Sequence, residues 1–75
     1  MEFDDFYRNL GKKIKKLREK SGYTQETLAE KSSLSLDYIG KIEVNINKPG
    51  LKSLLKISKA LGITLKELLD FDYKF

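Results

Sequence analysis

The sequence contains no cysteine and no histidine, and these two absences exclude several kinds of functional site. Disulfides, thiol nucleophiles, the common zinc sites and the usual general base of an enzyme all depend on one of these side chains. The remaining acids and hydroxyls show no paired arrangement beyond helix caps and surface charges. We therefore expect no enzyme activity, no metal and no cofactor. A chain without cysteine also fits a reducing compartment, so we expect a cytoplasmic protein.

Long apolar runs are missing too, since no stretch approaches the roughly 20 residues of a membrane span. The acidic start, MEFDDF, is unlike the basic n-region of a signal peptide. The 75 residues contain no linker, repeat or low-complexity tract, and they suffice for one small domain. We therefore expect a single domain over residues 1–75 that does not use a membrane.

Charge of one sign is only modestly in excess, because 15 basic and 11 acidic residues give a formal net charge of +4. The acids gather at the two ends of the chain, and basic residues crowd the stretch 8–20. On a helix, a run of charges is most often the solvated face. The net charge is that of an ordinary soluble protein and does not by itself identify a nucleic-acid partner.

Apolar spacing predicts five helices and no strand, so the expected fold class is all-α. In the first helix, Phe6, Leu10 and Ile14 recur at four-residue steps, which is typical of one buried stripe. Gly22 and Gly62 are expected to end the first and fourth helices. The apolar residues of the fourth helix spread over more than one stripe, which predicts a central helix buried on two sides. The predicted helices cover about residues 4–20, 25–32, 36–44, 51–61 and 65–70.

Residues 25–44 carry the clearest local pattern. They predict two short helices joined by a tight turn, with Thr24 and Ser35 as the N-caps. Two short helices that cross steeply need a small residue where they touch, and Ala29 supplies it. This layout is that of a helix-turn-helix, whose second helix lies in the major groove of DNA.

Several different short motifs lie at fixed distances from one another within residues 10–69. They are TQ-x-x-LA, the pair Leu34 and Ser35, YI-x-x-IE, and L-x-x-LL-x-I-x-x-ALGI-x-L-x-x-LL. In combination they resemble the Cro/repressor-type (XRE-like) helix-turn-helix transcriptional regulators, a family of phage repressors and related bacterial proteins. The resemblance implies a compact five-helix bundle of the phage-repressor DNA-binding-domain type. It also implies a sequence-specific regulator that binds double-stranded DNA at a palindromic operator as a homodimer.

Three positions around the two short helices predict special features of the backbone. The family usually has glycine in the turn between the helices, where the backbone is left-handed, and Ser33 stands there at some strain. It often has glycine after the recognition helix, where Asn45 tolerates the same conformation. Gly40 costs about 1 kcal/mol inside a helix, so it predicts a close approach of the backbone to another group, with DNA the first candidate.

The resemblance also assigns roles in DNA binding. The residues expected to reach base edges are Ser35, Leu36, Asp37, Tyr38 and Lys41. The residues expected to contact phosphate are Gln25, Asn45, Asn47 and Lys48. Asp37 could instead favour the helix dipole, and Tyr38 could instead cover the core. Arg18 and Glu43 stand at the positions that this family pairs as a partly buried salt bridge, and the alternative is that both side chains point to solvent.

The predicted homodimer uses the C-terminal end of the chain. One helix-turn-helix makes few base contacts, so domains of this kind pair across a two-fold axis. The expected interface residues are Leu65, Leu69, Phe71, Tyr73 and Phe75. The alternative is a tail that folds back over its own helices and leaves a monomer that pairs only on DNA. The extra N-terminal turn at Phe3, Phe6 and Tyr7 is expected to pack either on the last helix or on a second subunit.

A second class of function is open on the same fold. The recognition helix offers few hydrogen-bonding side chains, so an apolar surface of Leu36, Tyr38 and Ile46 could dock on a partner protein. The chain would then be a protein-interaction module, such as an antitoxin-like or adaptor subunit. Selection of bound sites from randomised DNA distinguishes the two classes.

Overall fold

The computed structural model describes residues 3–74, which form five α-helices and no strand. The helices are α1 (Asp4–Lys20), α2 (Gln25–Ser32), α3 (Leu36–Glu43), α4 (Leu51–Leu61) and α5 (Leu65–Leu68). The predicted all-α class and five-helix bundle are confirmed. Phe75, one of the predicted interface residues, lies outside the described residues. Within residues 3–74, no helix is both long enough and apolar enough to cross a membrane.

Two helices end earlier than predicted. α3 ends at Glu43 because Asn45 adopts a left-handed backbone with φ 62°, which takes the chain out of the helix. The prediction of left-handed backbone after the recognition helix is thereby confirmed. α5 ends at Leu68, two residues before the predicted end, and the Phe71 N–H donates to the Leu69 carbonyl at 3.1 Å in the turn that follows.

Apolar side chains from all five helices form one buried cluster. Its members are Leu10, Ile14, Leu28, Ala29, Ile39, Ile42, Leu54, Ile57 and Leu68. α2 packs on α3 and α4, while α1 packs on α3 and α5. The predicted stripe of α1 is confirmed at Leu10 and Ile14, which are fully buried. Full burial of one such side chain contributes about 1.5–3 kcal/mol, so this stripe anchors α1 against α3.

α4 is buried on one side only, so the prediction of two buried sides is wrong. Leu54 and Ile57 enter the core, whereas Leu51 and Leu55 are 63% and 49% exposed. Residues four apart lie on one face of a helix. The apolar spread of α4 is therefore one core face plus a short exposed leucine strip.

Gly11 allows α1 to approach the C-terminal end of α3. A Cβ at this position would lie 2.5 Å from the Ile42 carbonyl oxygen and 3.0 Å from that of Glu43. Both oxygens belong to the backbone, so rotation of a side chain cannot make room. The apolar pattern does not predict this contact, and its one local signal is a glycine directly after Leu10 in the buried stripe of α1.

The tail after α5 folds back over α1, which is the alternative arrangement weighed above. Lys13 Nζ and Asn9 Nδ2 donate to the backbone carbonyls of residues 70 and 72, at 3.1 and 3.2 Å. Asp5 Oδ2 accepts a hydrogen bond of 2.7 Å from the backbone N–H of residue 74. Three side chains on one face of α1 thus hold the backbone of the tail.

Aromatic rings join the tail to the extra N-terminal turn. The centre of the Phe6 ring lies 5.3 Å from that of Phe71 and 5.0 Å from that of Tyr73. The Tyr7 ring meets Phe6 edge-on at 5.3 Å. Such pairs contribute about 0.5–1.5 kcal/mol beyond their buried area. The extra turn therefore packs on the C-terminal segment of its own chain.

Candidate nucleic-acid interface

The segment from α2 to α3 forms a helix-turn-helix whose two helix starts are capped by side chains. Thr24 Oγ1 accepts the Thr27 N–H at 3.0 Å, and Ser35 Oγ accepts the Tyr38 N–H at 3.0 Å. Both predicted caps are confirmed. Ser33, in the turn, has the expected left-handed backbone with φ 57°. A residue with a Cβ pays roughly 1–2 kcal/mol for this conformation, so the turn stores strain that glycine would not.

A buried ion pair fixes α1 to both helices of this unit. Arg18 Nε donates to Glu43 Oε2 at 2.7 Å, and Arg18 Nη2 donates to Glu43 Oε1 at 3.1 Å. Gln25 Nε2 donates to the same Oε1 at 3.0 Å, and Arg18 Nη1 donates to the Tyr23 carbonyl at 2.8 Å. Arg18 thus holds the last residue of α3 and the backbone just before α2, and Glu43 in turn holds the first residue of α2.

The pair is shielded from water, unlike the solvent-facing alternative. The Glu43 side chain is 1% exposed and the Arg18 side chain is 9% exposed. The hydrogen bond to Glu43 raises the pKa of Arg18 above its ordinary value, although burial acts in the opposite direction. The guanidinium therefore stays charged, and its fork geometry holds the carboxylate at two points.

The start of α3 is exposed, as a surface for base contacts requires. Ser35, Leu36 and Asp37 are all exposed there. Lys41, one turn further on, is half-buried and pairs with Asp37 at 3.0 Å. An exposed pair of this kind contributes about 0–1 kcal/mol, so a base edge can displace either partner at little cost.

Tyr38 differs from the other predicted base-reading residues because its hydroxyl has a partner within the protein. The side chain is half-buried, and its hydroxyl donates to Ser53 Oγ on α4 at 3.1 Å. This contact ties α3 to α4, in agreement with the alternative role in covering the core. The sequence does not predict the contact of Ser53, because a serine in the first turn of a helix carries no signal for it.

The predicted phosphate-binding residues are not equally available. The carboxamide of Gln25 donates to Glu43 and is therefore already engaged. At this position an anion would instead meet the free backbone N–H groups in the first turn of α2. A Cβ on Gly40 would lie 3.6 Å from Gln25 Oε1, an ordinary contact distance, so the closest approach to this glycine from outside its own helix is that side chain. Asn45 and Asn47 are half-buried in the loop after α3.

Lys48 lies beside the start of α1. Its Nζ is 3.9 Å from Asp4 Oδ1 and 5.6 Å from the centre of the Tyr7 ring. The side chain is 39% exposed, so the ammonium is still within reach of a ligand in solvent.

The four predicted dimer residues that the structure describes do not form a free aromatic surface. Leu65 and Leu69 are half-buried at the edge of the core. Phe71 is half-buried against Phe6, and Tyr73 is 44% exposed while its ring also meets Phe6. Phe71 is therefore covered within its own chain, because Phe6 of α1 supplies the opposing ring.

The capped, tightly turned and braced unit formed by α2 and α3 defines a helix-turn-helix protein. A family model described as helix-turn-helix matches residues 14–68. The chain belongs to this family, the XRE-type helix-turn-helix transcriptional regulators.

Bacterial regulators are among the proteins similar to this chain. The control protein C.BamHI of Bacillus amyloliquefaciens is 44% identical over 62 residues, which cover 81% of this chain and 76% of that protein. The restriction-modification controller protein C.AhdI from Aeromonas hydrophila superposes with a TM-score of 0.81 at 35% identity, over 83% of this chain and 94% of that one. The biofilm master regulator SinR, solved in complex with DNA, gives a TM-score of 0.77 at 35% identity, over 81% and 98%. The family is that of DNA-binding transcription regulators.

Proposed function

We propose that the protein is a sequence-specific transcriptional regulator that places α3 in the major groove of double-stranded DNA. The observation that carries the proposal is the start of α3, where Ser35, Leu36 and Asp37 are exposed on a rigidly braced unit. Side chains that have no role in the core and stand on a fixed element are suited to reading base edges. The similarity to SinR, whose structure contains DNA, supports the proposal.

The base-reading residues act through different chemistry. Leu36 packs on a thymine methyl group, and Lys41 leaves Asp37 to donate to O6 and N7 of guanine. Ser35 and Asp37 offer short polar groups at the groove edge. Tyr38, held by Ser53, positions the helix and contacts the groove wall with its ring edge.

The phosphate contacts flank the recognition helix and set its register. Gln25 marks the N-terminus of α2, where backbone N–H groups meet one phosphate. Asn45, Asn47 and Lys48 in the loop before α4 meet another. These contacts carry most of the salt dependence and little of the sequence preference.

Selection of bound sites from randomised duplex DNA tests this function. The expected result is an enriched palindrome whose half-sites are about 10 base pairs apart, with two chains per site. Equal binding to selected and random DNA would remove sequence recognition from the proposal. A site occupied by one chain would remove the homodimer.

The homodimer is proposed to pair through α5 and the tail, with Leu65 and Leu69 at its centre and Phe71, Tyr73 and Phe75 at its edge. Leu65→Glu is expected to reduce the stoichiometry on the selected site to one chain. The matched control is Leu55→Glu, which places the same charge on the exposed leucine strip of α4. Dissociation by Leu55→Glu alone would move the interface to α4. Circular dichroism establishes that both variants are folded.

One observation favours the second candidate function, a protein-interaction module. Leu36 is 48% exposed and Ile46 is 66% exposed, and Tyr38 stands between them in the chain. An apolar surface of this kind is able to dock on a partner protein. Failure of the DNA selection, together with loss of a co-purified partner on Ile46→Ser, would favour this function over DNA recognition.

A further inference from the structure

Lys48, one of the proposed phosphate-binding residues, is held by the extra N-terminal turn of α1. Its ammonium lies 3.9 Å from Asp4 Oδ1 and 5.6 Å from the centre of the Tyr7 ring. Asp4 and Tyr7 are three residues apart, so they lie on one face of α1. The turn thus presents a negative charge and an aromatic face to a single cation, and both attract an ammonium group.

The same ammonium cannot serve Asp4 and a DNA phosphate at full strength. The side chains of Lys48 and Asp4 are 39% and 37% exposed, so the pair lies at the surface. Exposed pairs are weak enough for a phosphate to displace the carboxylate.

We propose that Asp4 and Tyr7 set the affinity for DNA: Asp4 competes with a backbone phosphate for Lys48, and Tyr7 keeps the ammonium within reach of Asp4. This inference rests on the proposed function. It gives the extra N-terminal turn, which precedes the residues that carry the family resemblance, a role in binding. The competing ligand is the phosphate backbone of duplex DNA, so the effect is the same for every base sequence.

The test is a double-mutant cycle on DNA affinity, measured at several salt concentrations with a selected site and with random duplex. Asp4→Asn is expected to tighten binding to both duplexes by about two- to five-fold and to steepen the salt dependence. In the Lys48→Ala background, the same substitution is expected to leave the affinity nearly unchanged. Asp72→Asn, which removes the same charge from the exposed tail, is the matched control.

Two substitutions at Tyr7 test the aromatic part of the contact. Tyr7→Leu removes the ring and is expected to shift affinity in the same direction as Asp4→Asn. Tyr7→Phe keeps the ring and is expected to retain the wild-type affinity. Urea melts of each variant separate these effects from a loss of fold.

The outcomes are distinguishable. If Asp4→Asn tightens binding equally with and without Lys48, or no more than Asp72→Asn does, general electrostatics accounts for the change and the competition is overturned. If the wild-type chain binds duplex DNA and Asp4→Asn changes nothing, this inference alone fails. If the wild-type chain binds no duplex DNA, the proposed function fails and takes the inference with it.

Discussion

Glu43→Gln is the substitution that tests the brace between α1 and the helix-turn-helix. The carboxylate of Glu43 receives two hydrogen bonds from Arg18 and one from Gln25. A glutamine keeps one oxygen and puts an amide NH₂ where the other oxygen was, so a donor faces a donor. It also leaves the Arg18 guanidinium, whose side chain is 9% exposed, without a counter-charge.

The expected loss is large for a domain of this size. Removing one partner of a buried pair costs about 3–5 kcal/mol, whereas an exposed pair contributes about 0–1 kcal/mol. A chain of 75 residues has a total free energy of unfolding of about 4–11 kcal/mol, at the usual stability per residue. With a slope of about 1 kcal/mol per molar urea, Glu43→Gln should lower the urea midpoint by about 3 M or more.

Equilibrium urea melts followed by circular dichroism measure this loss, and α3 supplies its own control. Asp37→Asn makes the same acid-to-amide change in an ion pair whose aspartate side chain is 74% exposed, so it should cost about 0–1 kcal/mol. Replacing Arg18 and Glu43 together by Met and Leu should recover much of the loss, because no charge is then stranded. A loss from Glu43→Gln that matches that of Asp37→Asn would refute the buried brace.

Three further predictions follow from the backbone and from the proposed division of contacts. Gly11→Ala should lower the free energy of unfolding by about 1–3 kcal/mol or more in urea melts, because its Cβ meets backbone oxygens of α3. The control is Gly50→Ala, which should not show this loss because no atom lies within 4 Å of the added Cβ. Ser33→Gly should raise the free energy of unfolding by about 0.5–1 kcal/mol, because the relief of left-handed strain outweighs the extra entropy that glycine gives the unfolded chain. An unchanged urea midpoint would contradict the strain. Lys48→Ala should weaken binding to all duplexes alike and flatten the salt dependence of the affinity by about one unit of slope. Lys41→Ala should relax the preference at one base position, at a cost of about 1–3 kcal/mol. Identical behaviour of the two variants on selected and random DNA would contradict this division of roles.

Features set by neighbouring residues could be predicted from the sequence. The caps at Thr24 and Ser35 act on N–H groups three residues away, so a local pattern contains both partners. The left-handed backbone at Ser33 and Asn45 was expected from the family resemblance, because the family often has glycine at these two positions. The apolar stripe of α1 is likewise local, since each of its members lies one turn from the next.

Features that depend on which elements meet could not be predicted in the same way. Gly11 matters only because the carbonyl oxygens at the end of α3 lie against it, and the two are about thirty positions apart in the chain. Tyr38 finds Ser53 fifteen residues away on another helix. α4 carries leucine both on the face that enters the core and on the exposed face. The spacing of its apolar residues therefore does not say which face α2 covers.

The placement of the tail decides which surface a second copy can use. Phe71 packs on Phe6, and the backbone of residues 70, 72 and 74 is bonded to three side chains of α1, so an interface centred on Phe71 would first have to break these contacts. Leu65 on α5 and Leu69 directly after it do not require such a change. A stable interface buries about 800 Å² on each partner, and a short helix with these two half-buried leucines at its ends supplies only part of that area. We infer that the proposed homodimer is centred on α5 with the tail still lying on α1, and that adjacent half-sites on the operator supply much of the free energy that holds its two copies together.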